Sequence, residues 1–254
     1  MCIRDRLCDV DKQFYLDYID WLRSSCKTAW GKPVSPKTAH SYYTTLRTAL
    51  NEAVRENLIA SNPWYRLEMT EKIKVPESKR DFLTIEEIKR MMATPFFNEQ
   101  VRQAYLFSCF CGLRISDIRK LRWRDLSMSG GQWRASVVMT KTIHPVYIAL
   151  SSQAVKWLPE RGDCTPDGAV FGGLPNEGNL CVNLKNWAEK AGVKKNVTFH
   201  TARHSCAVLL LTLGADIYTV SKILGHRSVR STQVYAKIVD KKKDDAIALV
   251  DNAF

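Results

Sequence analysis

The sequence predicts a mainly α chain with a small antiparallel β-sheet, an α+β class, arranged as two domains. Three observations predict it. Apolar residues recur at helical spacing through most of the chain. Two short strand-like runs, 133–139 and 146–150, lie close enough in sequence to pair as a hairpin. A charged stretch from Glu68 to Arg80, carrying Pro76, shows neither helical nor strand periodicity and reads as an interdomain segment.

The elements follow in order. Residues 10–22 set Phe14, Leu16, Tyr18, Ile19 and Leu22 among polar neighbours, an amphipathic helix. A second helix over 37–57 has Ser35 as N-cap and Pro36 in its first turn. Ala39, Tyr43, Leu46, Leu50, Ala53 and Val54 form its apolar stripe, and Lys37, Thr44 and Arg47 fall off it. Asn62-Pro63-Trp64 closes the unit. The expected division is a helical domain over 1–67, a linker over 68–79 and a second domain over 80–254. That domain opens on Thr84-Ile85-Glu86-Glu87, a capping box for a helix to about Met92. An apolar helix over 101–109, a turn at Gly112 and a short helix over 116–122 come next. The two strands follow, with Lys141 in their connection. Helices are expected over 151–158, 180–191, 201–213, 217–224 and 240–252, with Gly192, Gly214 and Gly225 at C-terminal stops. There is no internal repeat and no low-complexity segment.

Composition narrows the function classes. At 254 residues, 45% hydrophobic and 25% charged, the chain is globular rather than disordered. Its longest apolar run, 206–211, is far short of the roughly 20 residues that span a bilayer. The first ten residues are charged throughout, unlike a secretory signal. No membrane partner is expected, and the cytoplasm is the expected compartment. Eight cysteines without CxxC pairs read as reduced, mostly buried thiols. The net charge of +12 points to a polyanionic partner. The excess is local: residues 185–243 hold 12 Lys/Arg against 3 Asp/Glu.

That basic third also carries the residues with chemistry. It runs His200-Thr201-Ala202-Arg203-His204, Leu224-Gly225-His226 and Tyr235, preceded by Arg114 in Gly112-Leu113-Arg114-Ile115-Ser116-Asp117 and by Lys141. Attack on a phosphodiester needs neutralised charge, an activated nucleophile and a protonated leaving oxygen. Arg114 and Arg203 suit the first task, because a guanidinium donates two parallel hydrogen bonds to phosphate oxygens. Lys141 could protonate the leaving oxygen, and His200 and His226 can exchange protons or hold non-bridging oxygens. Tyr235 would be the nucleophile; at its ordinary pKa of about 10 only roughly 0.1% is ionised at pH 7, so it needs neighbours that activate it. Covalent capture conserves the energy of the broken bond, so no nucleotide, metal or other cofactor is expected. His200 and His204 stand four residues apart, but Thr201 takes the place where a zinc-protease motif has glutamate, so no metal site is expected. Cys206 reads as helix packing.

The ordered combination resembles the tyrosine recombinase (phage integrase) family. Gly112–Asp117 is similar to its first arginine box, with Asp117 where glutamate is usual. Residues 138–142 resemble the β-hairpin bearing its lysine. His200–His204 resembles its HxLRH box, with Ala202 where leucine is usual; Leu224-Gly225-His226 and Tyr235 match its LGH box and nucleophile in spacing. Neither substitution touches a reacting group. The resemblance implies a site-specific recombinase or integrase of a mobile element, with a helical core-binding (SAM-like) domain and a catalytic domain clamping duplex DNA. It would act through a covalent 3′-phosphotyrosine, with Arg114, Lys141, His200, Arg203, His226 and Tyr235 as its catalytic set. Lys37, Thr44 and Arg47 become candidate DNA-backbone contacts. The apolar residues Ala246, Ile247, Leu249 and Val250 of the last helix suit exchange between neighbours, linking four protomers on DNA. Larger members carry a further arm-binding domain in front. This chain starts almost at its first helix, and residues 1–7 fit no helical pattern, which tilts the reading from a minimal recombinase towards an N-terminally incomplete one. Three alternatives stay open: a topoisomerase-like relaxing enzyme using the same chemistry, a DNA-binding protein without catalysis, and a basic RNA-binding module.

Overall fold

The computed structural model describes residues 6–74, 80–139 and 145–236. It divides into two compact units, Met1–Lys79 and Arg80–Phe254.

The first unit is built on α1 (Lys12–Ser24) and α2 (Pro36–Arg55). The Ser35 hydroxyl accepts from the Thr38 N–H at 3.1 Å, and Pro36 fills the first turn where its missing N–H is harmless. One face of each helix supplies the core: Tyr15, Ile19 and Leu22 meet Ala39, Tyr43 and Leu50, with the Tyr15 and Tyr43 rings edge-to-face at 6.4 Å. Buried Asn62 pins the chain beyond α2. Its amide donates to the Arg47 carbonyl at 3.1 Å and to Asn51 Oδ1 at 2.7 Å, and its Oδ1 accepts from the Tyr15 hydroxyl and the Trp64 N–H. Of the segment the sequence marks as a linker, residues 68–74 lie against this unit: Ile73 packs on its core and Glu71 pairs with Lys12 at 3.0 Å.

The second unit begins with α3 (Ile85–Ala93), whose capping box forms: Thr84 N–H donates to Glu87 Oε2 at 2.8 Å, and Glu87 N–H to Thr84 Oγ1 at 3.2 Å. Next come α4 (Glu99–Cys111) and the short α5 (Ile115–Ile118), which ends four residues before the expected stop. The sheet has three antiparallel strands in the order β1 (Leu126–Ser129), β2 (Gln132–Val138) and β3 (Pro145–Ala149). Strand β1 has no counterpart in the sequence reading; only Leu126 is buried, so it carries no alternation. Val138 pairs with Pro145, which closes the β2–β3 hairpin at the connection holding Lys141. Then follow α6 (Ser152–Val155), α7 (Glu177–Lys190), α8 (Phe199–Thr212), α9 (Ile217–Ile223) and α10 (Arg230–Ala236). Helix α10, which carries Tyr235, also has no counterpart in the sequence reading. The helix expected over 240–252 lies outside the described residues.

Helix α4 is apolar on nearly every side and packs directly on α8. The buried thiols are packing groups: Cys109, Cys111 and Cys206 sit in the interior, and burial pushes the Cys206 thiol up to about 12. No described helix is long and apolar enough to cross a membrane.

Candidate active site

The site assembles where α8, α10, the Gly112–Arg114 turn and the loop after α9 meet. Its centre is Arg203, on the second turn of α8 and only 3% exposed. A buried guanidinium needs partners. Arg203 Nη1 donates to the Gly112 carbonyl at 2.7 Å, and Nη2 to the Leu224 carbonyl at 2.5 Å. The turn before α5 and the end of α9 thus aim the fork. Burial and the neighbouring Arg114 lower the Arg203 pKa to about 10, which still leaves it charged at neutral pH.

Gly112 makes that arrangement possible. It ends α4 in the left-handed region at φ 74°, and a Cβ there would stand 2.6 Å from Leu224 Cδ2 and 3.3 Å from Cys206 Sγ. Two residues on, Arg114 is the N-cap of α5, and its side chain is 14% exposed. Its Nη1 contacts Met139 Sδ at 3.4 Å and lies 4.0 Å from buried Asp117 Oδ2. The aspartate faces the arginine from the first turn of α5.

His226 follows Gly225, which closes α9 at φ 61°. Its Nδ1 is 2.8 Å from the buried Thr232 Oγ1 of α10, which fixes the ring and turns Nε2 the other way. Burial first, then Arg203, Arg114, Arg80 and His204, lower the His226 pKa to about 4. His200 is exposed in the first turn of α8, its ring 6.2 Å from that of His204.

Tyr235 is 1% exposed, and its hydroxyl is held by two residues the sequence reading did not place in the site. The first is His204, whose Nδ1 lies 2.6 Å from the phenol oxygen. Burial, then Arg80, His200 and Arg203, lower the His204 pKa to about 4, so its ring is neutral at pH 7 and can accept the phenol proton. The second is Arg80, whose Nη1 donates to the same oxygen at 3.0 Å. In sequence His204 closes the His200–His204 box and pairs with His200 but carries no assigned role, and Arg80 is only the end of a charged stretch.

The structure therefore brings Arg114, Arg203, His226 and Tyr235 to one locus, with His200 at its edge. Lys141 lies outside the described residues. In the first unit Lys37 is exposed, whereas Thr44 and Arg47 are half-buried. The Thr44 hydroxyl donates to the His40 carbonyl at 2.8 Å, and the Arg47 guanidinium stacks 4.6 Å from the Trp64 ring centroid.

Comparison with known proteins gives a consistent picture. Residues 81–242 match the family model described as phage integrase family, and residues 5–74 match that described as phage integrase SAM-like domain. A tyrosine recombinase of Pseudothermotoga lettingae is 29% identical over 210 residues, covering 80% of this chain and 71% of the relative. Among solved structures, the Tn1549 transposon integrase in complex with transposon right end DNA superposes with a TM-score of 0.72 at 15% identity. It covers 96% of this chain and 87% of the other. The XerH site-specific recombinase bound to its palindromic difH substrate, in a post-cleavage complex, gives 0.70 at 17% identity, covering 96% and 74%.

Proposed function

This chain belongs to the phage integrase family, and we propose that it is a site-specific DNA recombinase whose nucleophile is Tyr235. It is a tyrosine recombinase, an enzyme that cleaves and rejoins DNA strands. The observation that carries the residue assignment is the convergence on α8 of Arg203, Arg114, His226 and Tyr235, drawn from positions up to 121 residues apart.

The chemistry follows from that arrangement. The Tyr235 oxygen attacks the scissile phosphorus, the bond to the 5′ oxygen breaks, and a 3′-phosphotyrosyl link remains with a free 5′-hydroxyl. Arg203 is oriented before substrate arrives, because two backbone carbonyls hold its fork, so it meets the developing charge without reorganising. Arg114 supplies a second cation from the turn before α5. His226 and His200 hold non-bridging oxygens, and Lys141 is the acid for the leaving oxygen; it lies two positions after Met139, whose sulfur touches Arg114. A 5′-hydroxyl from the partner duplex then displaces the tyrosine.

Duplex DNA is the substrate, which makes the cytoplasm and its DNA the place of action. The first unit is the core-binding module, with Lys37, Thr44 and Arg47 near the backbone. Four protomers joined by their last helices form the working assembly. The division is a core-binding module over 1–67, a linker over 68–79 whose residues 68–74 pack on that module, and a catalytic domain over 80–254.

The test is a nicked suicide duplex carrying a site selected by the protein from random sequences. The wild type forms a covalent adduct that survives denaturation, and Tyr235→Phe forms none. Equal adduct from both defeats the assignment of the nucleophile.

A further inference from the structure

The segment entering α3 is anchored over α8 more firmly than a domain boundary requires. Leu83 is buried, and its N–H donates to Ser205 Oγ at 2.7 Å, which in turn donates to the Thr201 carbonyl at 2.7 Å. The Phe82 carbonyl accepts from Lys195 Nζ at 2.8 Å, and that ammonium also sits 5.0 Å from the Phe82 ring centroid. The Phe82 side chain packs on the cluster that contains Tyr235. These contacts fix Arg80, two residues earlier, beside the phenol. Its guanidinium is 5.4 Å from the Tyr235 ring centroid, and Nη1 donates to the oxygen at 3.0 Å across 155 residues of sequence.

We propose that Arg80 is a further catalytic residue: it stabilises the phenolate of Tyr235 as that oxygen attacks the phosphodiester and again as it is expelled. The proposal rests on Tyr235 being the nucleophile. An arginine is a donor only, so the Arg80 bond runs to the phenol oxygen and leaves the phenol hydrogen for His204 Nδ1. His204 alone is a weak base. Its ring, lowered to about 4, holds a proton poorly at neutral pH, so transfer to it needs the charge left on the phenol oxygen to be offset. A cation bonded directly to the oxygen offsets the charge that transfer creates. The other two arginines of the site make their hydrogen bonds elsewhere, Arg203 to two carbonyls and Arg114 to Met139.

The step balances. In cleavage the Oη–P bond forms, the P–O5′ bond breaks, the phenol proton passes to His204 Nδ1, and the 5′ oxygen takes a proton from the acid of the site. In rejoining, the incoming 5′-hydroxyl gives its proton back to the deprotonated acid of the site as it forms the new P–O bond, and the tyrosine oxygen leaves as a phenolate held by Arg80 until His204 returns the proton. One residue thus serves both directions, as microscopic reversibility requires.

Alkaline rescue tests this. Arg80 and His204 bond the phenol oxygen and Arg203 acts on it electrostatically, while His200 neighbours His204 and Arg114 and His226 lie close to Arg203. Adduct formation on the suicide duplex is measured from pH 6.5 to 9.5 for the full chain, Arg80→Gln, Arg80→Lys and Tyr235→Phe. Melting and duplex binding are measured in parallel. Arg80→Gln is expected to cleave about 100-fold more slowly at pH 7 and to recover at least tenfold relative to wild type at pH 9.5, where the higher hydroxide concentration assists removal of the phenol proton. Arg80→Lys, which keeps the charge, should stay within about tenfold of wild type. An Arg80→Gln variant that cleaves like wild type, or that is equally impaired at every pH with Arg80→Lys no better, overturns the proposal. Tyr235→Phe separates the two failures: adduct in that variant sinks the nucleophile itself, whereas its absence beside an unimpaired Arg80→Gln sinks Arg80 alone.

Discussion

Helices α2 and α8 obey different rules. Over its 20 residues α2 buries Ala39, Tyr43, Leu50 and Ala53 along one face and leaves the rest half or fully exposed. Helix α8 spans 14 residues and buries nine of them, including Thr201, Arg203 and Ser205. An amphipathic stripe folds a helix onto a core and says little about chemistry. A helix buried on nearly all sides must find a partner for each polar group it carries. On α8 those partners are the site: two carbonyls for Arg203, a phenol for His204, and the Leu83 N–H for Ser205. The same polar residues that would be solvent decoration on α2 are structural and chemical at once on α8.

The largest effect is expected from disturbing the α8 cradle without touching α8. Gly112→Ala puts a methyl group 2.6 Å from buried Leu224 Cδ2 at a backbone φ of 74°. Left-handed strain and overpacking together should cost about 2–4 kcal/mol of stability, read as a lower denaturant midpoint. Adduct formation should fall at least tenfold even where the protein is fully folded, because the Gly112 and Leu224 carbonyls both aim Arg203. A stable but unimpaired variant would show that the carbonyl cradle does not orient the arginine.

This is also why the sequence reveals α2 more completely than α8. For α2 the start, the cap at Ser35 and the buried face all follow from periodicity and local capping, which are properties of adjacent residues. The order of the later helices follows in the same way. The family-like boxes mark Arg203, His226 and Tyr235, include His204 without giving it a role and say nothing of Arg80; the contacts of Arg80 and His204 with Tyr235 span 155 and 31 residues. Helix α10 escapes for a related reason. Arg230-Ser231-Thr232-Gln233 is polar, and it buries Thr232 and Tyr235 because His226 and α8 receive them, not because of any stripe. Met128 in β1 is exposed, so that strand lacks the alternation that marks one.

Acid should weaken the α8 side next. His204 and His226 are both lowered to about 4, chiefly by burial, against about 6.5 in an unfolded chain. Between those values the unfolded state binds more protons than the folded one, so stability rises with pH there. The contribution of the neutral rings is complete above pH 6.5 and is lost progressively as pH falls towards 4. Urea midpoints measured from pH 7 to 4.5 should fall, and His226→Gln should flatten the slope by about one proton. A slope unchanged in His226→Gln and in His204→Gln would place its origin outside the two rings.

The mildest perturbation belongs to α2. Ser35→Ala removes the hydroxyl that accepts from the Thr38 N–H, and the exposed helix start can recover part of that bond from water. The expected loss is about 1 kcal/mol, confined to the unfolding of the first unit. Because the cap is local, its effect should be independent of pH between 7 and 4.5, and adduct formation at saturating duplex should match wild type. A cap variant that slowed the chemical step while binding remained saturated would mean that the first unit reaches the active centre, and the division of labour between α2 and α8 would have to be abandoned.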